Sequence, residues 1–291
     1  MKPLLSPGEL IDTSWDLYRN QFKSFMSLSG WLVIIAILHV IAWILYPQAG
    51  TTSVYTTLRP QEVAGVILYV VTNYVISPLF GFWMFIAMVR ASLRVLANKP
   101  IELMQMVTET KALFVPALIV TVFVGLMITL AQIITTGPVF LLFGIGNWVH
   151  NAILIGFADI LFVFAAIASL VLTCRWILNY FMAPYVCVID GVEKKSALIQ
   201  SRLLVQGRFW STLIRIVLPK FVFVLFGIGF AAIATFMIKI FINGATGMTV
   251  DQSLHLLTIS TNVLSVLIAI FLNPLLILSD VILYKNLKGE L

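Results

Sequence analysis

Apolar residues along this chain do not alternate with polar ones. They run together in blocks of about 20 residues or more, the length a helix needs to cross a hydrocarbon core of about 30 Å. Six such segments can be drawn, at 25–46, 63–89, 113–135, 152–174, 221–242 and 255–284. A membrane β-barrel would need segments of about ten residues with alternating polarity, and these runs do not alternate. In lipid a helix satisfies its own N–H and C=O groups. The pattern therefore predicts an all-α polytopic membrane protein, a single integral membrane domain over 1–291 with six transmembrane helices and interfacial cytoplasmic helices between them.

The fourth run is too long for one crossing. Hydrophobicity continues from Ala152 to Ile189, interrupted only by Asp159, Arg175 and Asn179, which at 1.5 Å per residue is about 57 Å. Either the helix projects into the cytoplasm or it bends near Pro184 and lies along the surface; the proline favours the bend.

Ahead of the first span, Ile11, Trp15, Tyr18, Phe22 and Phe25 recur at helical spacing and form one apolar stripe, with Asp12, Asp16, Arg19, Asn20 and Lys23 opposite. Such a helix is expected in the membrane interface. Its start, Ser6-Pro7-Gly8-Glu9, is a capping box with proline at the first helical position. Related starts are read at Lys99-Pro100-Ile101-Glu102, which has a poor cap residue, and at Asp190-Gly191-Val192-Glu193, with Asp as cap. The three lie about 90 residues apart. That spacing suggests a threefold repeat of helix plus transmembrane hairpin, over 6–97, 98–189 and 190–291.

Composition agrees with the pattern. Hydrophobic residues make up 61% of the chain and charged ones 10%, against about 25% charged in soluble domains. The net charge of +6 reads first as a topology signal. All but Arg59 and Lys239 of the 18 Lys and Arg fall on one side of the six spans, which places both termini in the cytoplasm of a cell (inner or plasma) membrane. Cys174 and Cys187 are too few for a disulfide framework. No cleaved signal is expected, because acidic and polar residues interrupt the first twenty or so positions.

The most charged stretch is 190–210, DGVEKKSALIQSRLLVQGRFW. Its apolar triplets, Ala197-Leu198-Ile199 and Leu203-Leu204-Val205, recur every six residues, so the stripe winds around the helix, which Gly207 is placed to end or bend. The plain reading is a solvated interfacial linker whose basic residues fix topology. The functional reading is that Lys194, Lys195, Arg202 and Arg208 bind anionic headgroups, at about 1 kcal/mol per basic residue. Phe209 and Trp210 are expected to anchor the far end of that helix.

Three further stretches carry a resemblance: YRNQFKSF at 18–25, APYVCVIDGVEKKSALIQSRLLVQGRFW at 183–210 and NPLLILSDVILYKNL at 273–287. Together they resemble the YciC-like integral membrane proteins and the related membrane domain of some glycerophosphoryl diester phosphodiesterases. The resemblance implies an all-helical membrane domain without an assigned activity, in a lipid-related context, and carries over no catalytic residue.

Recognisable reaction chemistry is sparse. His39, His150 and His255 stand far apart, outside any metal-ligand spacing. The spaced aspartates of CDP-alcohol phosphotransferases are missing around Asp190, and no Walker A loop, nucleophile elbow or dinucleotide turn occurs. Polar residues inside spans are the remaining candidates. Asp159 and Lys239 lie toward the outer side, either paired or near outer headgroups. Asp280 lies near the inner end of span six, within conceivable reach of Arg90 or Arg175. Asn73 with Pro78, and Asn273 with Pro274, mark kinks that would suit a transport site.

The expected role is non-catalytic: a membrane protein that binds lipid or a partner in envelope maintenance. The alternative is a small transporter or lipid-moving protein with a polar site between kinked helices. An enclosed polar cavity reaching Asn73, Asn273 or Asp280 would favour the alternative, and a solid apolar bundle the first. Expected partners are membrane lipids, anionic headgroups on the cytoplasmic side above all, with a membrane-protein partner or a second copy also open. No nucleic acid, metal or cofactor is expected.

Overall fold

Local start and stop signals divide the chain into helices. In the computed structural model, which describes residues 4–46, 59–244, 247 and 249–290, the first is α1, Pro7–Asn20. Its Ser6 hydroxyl accepts from the Glu9 N–H while the Glu9 carboxylate accepts from the Ser6 N–H, so the predicted capping box is fully formed. These bonds hold the Glu9 carboxyl below the usual carboxylate range, the Ser6 backbone N–H first among them. Then come α2 (Phe22–Ser29), a 3₁₀ turn at Gly30–Leu32 and α3 (Val33–Leu45). α4 (Pro60–Val71) passes through a π-helical turn at Thr72–Ile76 into α5 (Ser77–Leu96), and α6 covers Leu103–Trp148. α7 (Ala152–Tyr180), α8 (Ala183–Asp190), α9 (Lys194–Val205), α10 (Phe209–Gly244) and α11 (Val250–Lys288) complete the order.

Among the described residues, six stretches are long and apolar enough to cross a membrane: Phe22–Leu45, Pro60–Leu96, Leu103–Trp148, Ala152–Asp190, Phe209–Gly244 and Gln252–Lys288. The described residues form no strand. The chain is an all-α polytopic membrane protein.

Several local expectations are corrected. Asp190-Gly191 does not start a helix; it ends one. Gly191 takes φ +70° at the C-terminus of α8 and its N–H bonds the Cys187 carbonyl, while α9 starts at Lys194 without a side-chain cap. Gly is favoured there because the left-handed conformation clashes with a Cβ. Lys99-Pro100 is also not a helix start, since α6 begins only at Leu103. The stretch 190–210 is not one helix: Gly207, at φ +77°, breaks it, and Phe209 and Trp210 open α10 instead. The connection between the spans read at 113–135 and 152–174 is far shorter than those bounds leave, because α6 runs through Gly137 and Pro138 to Trp148. Proline is tolerated inside a membrane helix, where neighbours can satisfy the freed carbonyl. The connection between the spans read at 25–46 and 63–89 lies mostly outside the described residues.

The fourth run breaks where its proline predicts. α7 ends at Tyr180, Phe181 and Met182 turn the chain, and Pro184 sits in the first turn of α8. Ala183 and Tyr185 to Val188 are buried, so α8 is packed within the protein rather than spread on a surface.

Two compact units emerge, residues 1–111 with 215–291, and residues 112–214. In the first, α11 is the central helix and packs against α1, α2, α3 and α5. Half of its most apolar window is buried, against 11% for Pro60–Leu96. α1 packs against α11, and its Leu10 and Ser14 are buried together with Tyr18 of the predicted stripe. Ser14 can lie inside because its hydroxyl donates to the Leu10 carbonyl at 2.6 Å. α3 and α4 approach so closely that a Cβ on Gly65 would fall 2.4 Å from the Leu45 carbonyl carbon. Arg90 and Arg94 of α5 both bond the Glu109 carboxylate, at 2.7 Å each, and fix the start of α6.

In the second unit, α9 packs against α7 and α8. The Ser201 hydroxyl donates to the Asn179 carbonyl at 2.7 Å. Gln132 of α6 accepts from Ser169 and donates to Thr173, both on α7. This clamp between two apolar spans was not among the sequence candidates, although a glutamine inside a hydrophobic run is the signal that marks it.

Candidate functional site

Each concave site described below falls within a single unit. In the first unit, Lys220 of α10 and Asp280 of α11 form an ion pair of 3.0 Å between side chains 28% and 5% exposed. Both line a cavity of about 360 Å³ with Asn273, Gly81, Met84 and Met88. The sequence puts Asp280 within reach of Arg90 or Arg175; the ion pair it forms within its unit is with Lys220, and Arg90 is engaged by Glu109. Of the candidate intramembrane polar residues, Asn273 and Asp280 share this cavity. Asn73 does not line it; it lies half-buried in the π-helical turn, four residues before the span irregularity meets Ser77 and Pro78. A π turn inserts one extra residue into the helical ladder, here at the place where the sequence marks a kink.

Asp159 and Lys239 are both exposed, and among the described residues neither forms an ion pair. Lys239 lines a small pocket of about 250 Å³ with Asn243 and Ser253. His39 packs its ring against Tyr69, whose other neighbours are Trp43 and Tyr46.

A second site of the same unit is an apolar groove of about 600 Å³. The stripe predicted in the first helix forms one wall: Ile11, Trp15, Tyr18 and Phe22 face Phe226, Phe230 and Phe271 of α10 and α11. Trp15 remains 44% exposed although it stands in this groove. The Tyr18 hydroxyl donates to the Phe271 carbonyl at 2.9 Å, and burial pushes its phenol up to about 12. Phe22 stacks on Phe271 at 6.3 Å. Asp12 is the one charged side chain of the lining.

The third site lies in the second unit, between α7, α9 and the start of α10. It has a volume of about 730 Å³ and is lined by Arg175 and Arg202 together with Leu170, Asn179, Gln206 and Trp210. Of the four predicted headgroup residues, Arg202 alone lines this pocket. Lys194 and Lys195 are exposed on α9 outside it, and Arg208 is half-buried. The sequence alone marks Arg175 only as a topology signal and as a partner within reach of Asp280.

Among the described residues, no three His, Cys, Asp or Glu side chains come together as a metal site requires. Compared with known proteins, the chain matches no family model, no curated protein and no solved structure.

Proposed function

We propose that the protein is a non-catalytic integral membrane protein that holds membrane lipid and serves in maintaining the cell envelope, with both termini in the cytoplasm. The resemblance to YciC-like membrane proteins belongs to this proposal and supports its lipid context. The observation that carries it is the aromatic groove of the first unit. An interfacial helix normally turns its aromatics into lipid. Here Trp15 and Phe22 instead form one wall of a cleft whose other walls are Phe226, Phe230 and Phe271. Pockets of about 300–1,000 Å³ suit small ligands, and this lining offers an acyl chain rigid apolar contact with little polar surface to desolvate.

A phosphatidylcholine carrying a diazirine on its acyl chain tests the reading on the full chain in bilayer nanodiscs. Photo-crosslinks mapped by peptide mass spectrometry are expected to concentrate on Trp15, Phe22, Phe230 and Phe271. Ile160 and Phe164 on α7 are exposed apolar residues outside the groove and serve as the reference. Equal crosslinking at both sets would remove the groove as a lipid site.

A second reading, a small transporter or lipid-moving protein, is supported by the Lys220–Asp280 pair at the cavity reached by Asn273. Charge placed deep in a membrane protein is costly and marks ion or substrate paths. Proteoliposomes showing an Asp280-dependent proton or solute flux would establish it, and flux equal to that of empty liposomes would discard it.

A further inference from the structure

Arg175 follows directly on the apolar run of α7 that begins at Ala152. That run rises about 35 Å, enough to cross a core of about 30 Å. Arg175 therefore stands at the level where hydrocarbon gives way to headgroups. Arg202 reaches the same pocket from α9, and neither guanidinium has a hydrogen-bond or ion-pair partner among the described residues. Two like charges lining one concavity repel each other, so an anion between them relieves a cost as well as adding bonds. Exposed arginines ordinarily need only water. These two differ in lining the same pocket with the amides of Asn179 and Gln206.

The pocket is also amphipathic in the direction a lipid requires. Along α7 its lining passes from Leu170 and Val171, through Cys174, to Arg175 and Asn179, from apolar to polar. On α10 it takes Phe209, Trp210 and Leu213. Trp210 is 72% exposed, and tryptophan is favoured at headgroup depth. A guanidinium presents a planar fork that matches phosphate oxygens two at a time.

We propose that this pocket binds an anionic phospholipid, its phosphate held between Arg175 and Arg202 and an acyl chain laid along Leu170, Val171 and Leu213. The inference rests on the lipid-binding reading above and adds to it the headgroup class and a second, separate place in the chain. It also moves the headgroup determinant from the exposed lysines of α9 to the pair of arginines in the pocket.

Cys174 offers a local reporter, because it is exposed and lines the pocket while Cys187 is buried. The full chain, purified in a neutral detergent, is treated with a maleimide, and labelling of the Cys174 peptide is followed by mass spectrometry. Added phosphatidylglycerol is expected to slow this labelling on the order of fivefold when about 80% of sites are filled, and phosphatidylcholine much less. R175Q/R202Q should abolish the difference between the two lipids. K194Q/K195Q removes two charges from the same helix outside the pocket and should retain it. Where R175Q/R202Q does not purify as a folded species, R175K/R202K keeps the charge but loses the fork, and should weaken the difference.

Equal slowing by both lipids, or an effect unchanged in both arginine variants, overturns the proposal. So does loss of the effect in K194Q/K195Q, which would mean diffuse surface charge. Protection by inorganic phosphate equal to that by the lipid would make this a free-anion site and remove the acyl part. If the headgroup effect fails while the photolipid pattern at Trp15 and Phe22 stands, only this site falls; failure of the photolipid pattern is what removes the broader reading.

Discussion

The Tyr18 hydroxyl donates to the carbonyl of Phe271, three residues before Pro274, and so ties the first helix to the last. Proline has no N–H to offer the carbonyl four residues back and opens the helix near it. A phenol held there must stay protonated to donate. Its pKa is about 12 in the fold because burial disfavours the phenolate, against about 10 when unfolded. The fold thus binds this proton more tightly than the unfolded chain. The associated stability is fully present below pH about 10 and is lost as pH rises through about 12. Helicity melts of wild type and Y18F in detergent check this. Y18F should cost about 1 kcal/mol at neutral pH and should lose less stability than wild type at alkaline pH. Parallel alkaline losses in the two proteins would contradict it.

The Lys220–Asp280 pair predicts unequal costs for its two halves. Asp280 is the buried partner, whereas the part-exposed Lys220 can reach outward when its carboxylate is removed. K220M should therefore destabilise more than D280N, by up to about 3 kcal/mol. The double variant K220M/D280L should recover part of that loss, because the buried carboxylate is removed together with the cation that faces it. Chemical denaturation of the three variants in mixed micelles would rank them. A double variant as weak as K220M would count against the account.

At Gly65 two opposing effects can be weighed. Alanine gains about 1 kcal/mol of helix propensity over glycine. Yet its Cβ would stand 2.4 Å from backbone atoms of Leu45, which cannot rotate away. The clash should win, and G65A is expected to lower the melting temperature of the purified protein. A raised melting temperature would show that α3 and α4 can part without loss.

Gly191 makes a simpler prediction. With φ at +70° and no atom near its missing Cβ, an alanine there meets strain but no collision. G191A should cost about 1 kcal/mol, the usual penalty of an L-residue in the left-handed region. Unchanged unfolding midpoints in G191A would mean that the turn between α8 and α9 re-forms without that conformation.

The six crossings are legible in the sequence because their signal is collective. Each rests on about 20 side chains, and no single residue can reverse it. The Ser6 box is legible for a different reason: its two reciprocal bonds are closed within four residues. Asp190-Gly191 fails on similar evidence, because Asp before a helix and Gly after one can occupy the same two positions. What decides is the Pro184 that starts α8 just upstream and leaves Asp190 to be its end. The burial of Ser14 in α1 is not legible from the stripe, because Ser14 counts as polar but bonds its own helix. The candidate sites are less legible still. Arg175 with Arg202, and Lys220 with Asp280, meet only through the tertiary fold, which leaves no periodic trace in one sequence.

The length of α6 has a bearing on which bilayers suit the protein. Its 46 residues rise about 69 Å, and no charge occurs from Ala112 to Trp148, a stretch of about 55 Å. Even tilted by 40°, the upper end of what membrane helices adopt, that uncharged stretch exceeds a core of about 30 Å. α6 therefore has slack, and a thicker bilayer costs it nothing. Phe22–Leu45 has almost none: its 24 residues rise about 36 Å, with Lys23 at one end. Hydrophobic mismatch acts on the crossing with the least reserve. Fit to membrane thickness is thus governed by the shortest crossing among the described residues, which also continues the chain from the helix that walls the aromatic groove.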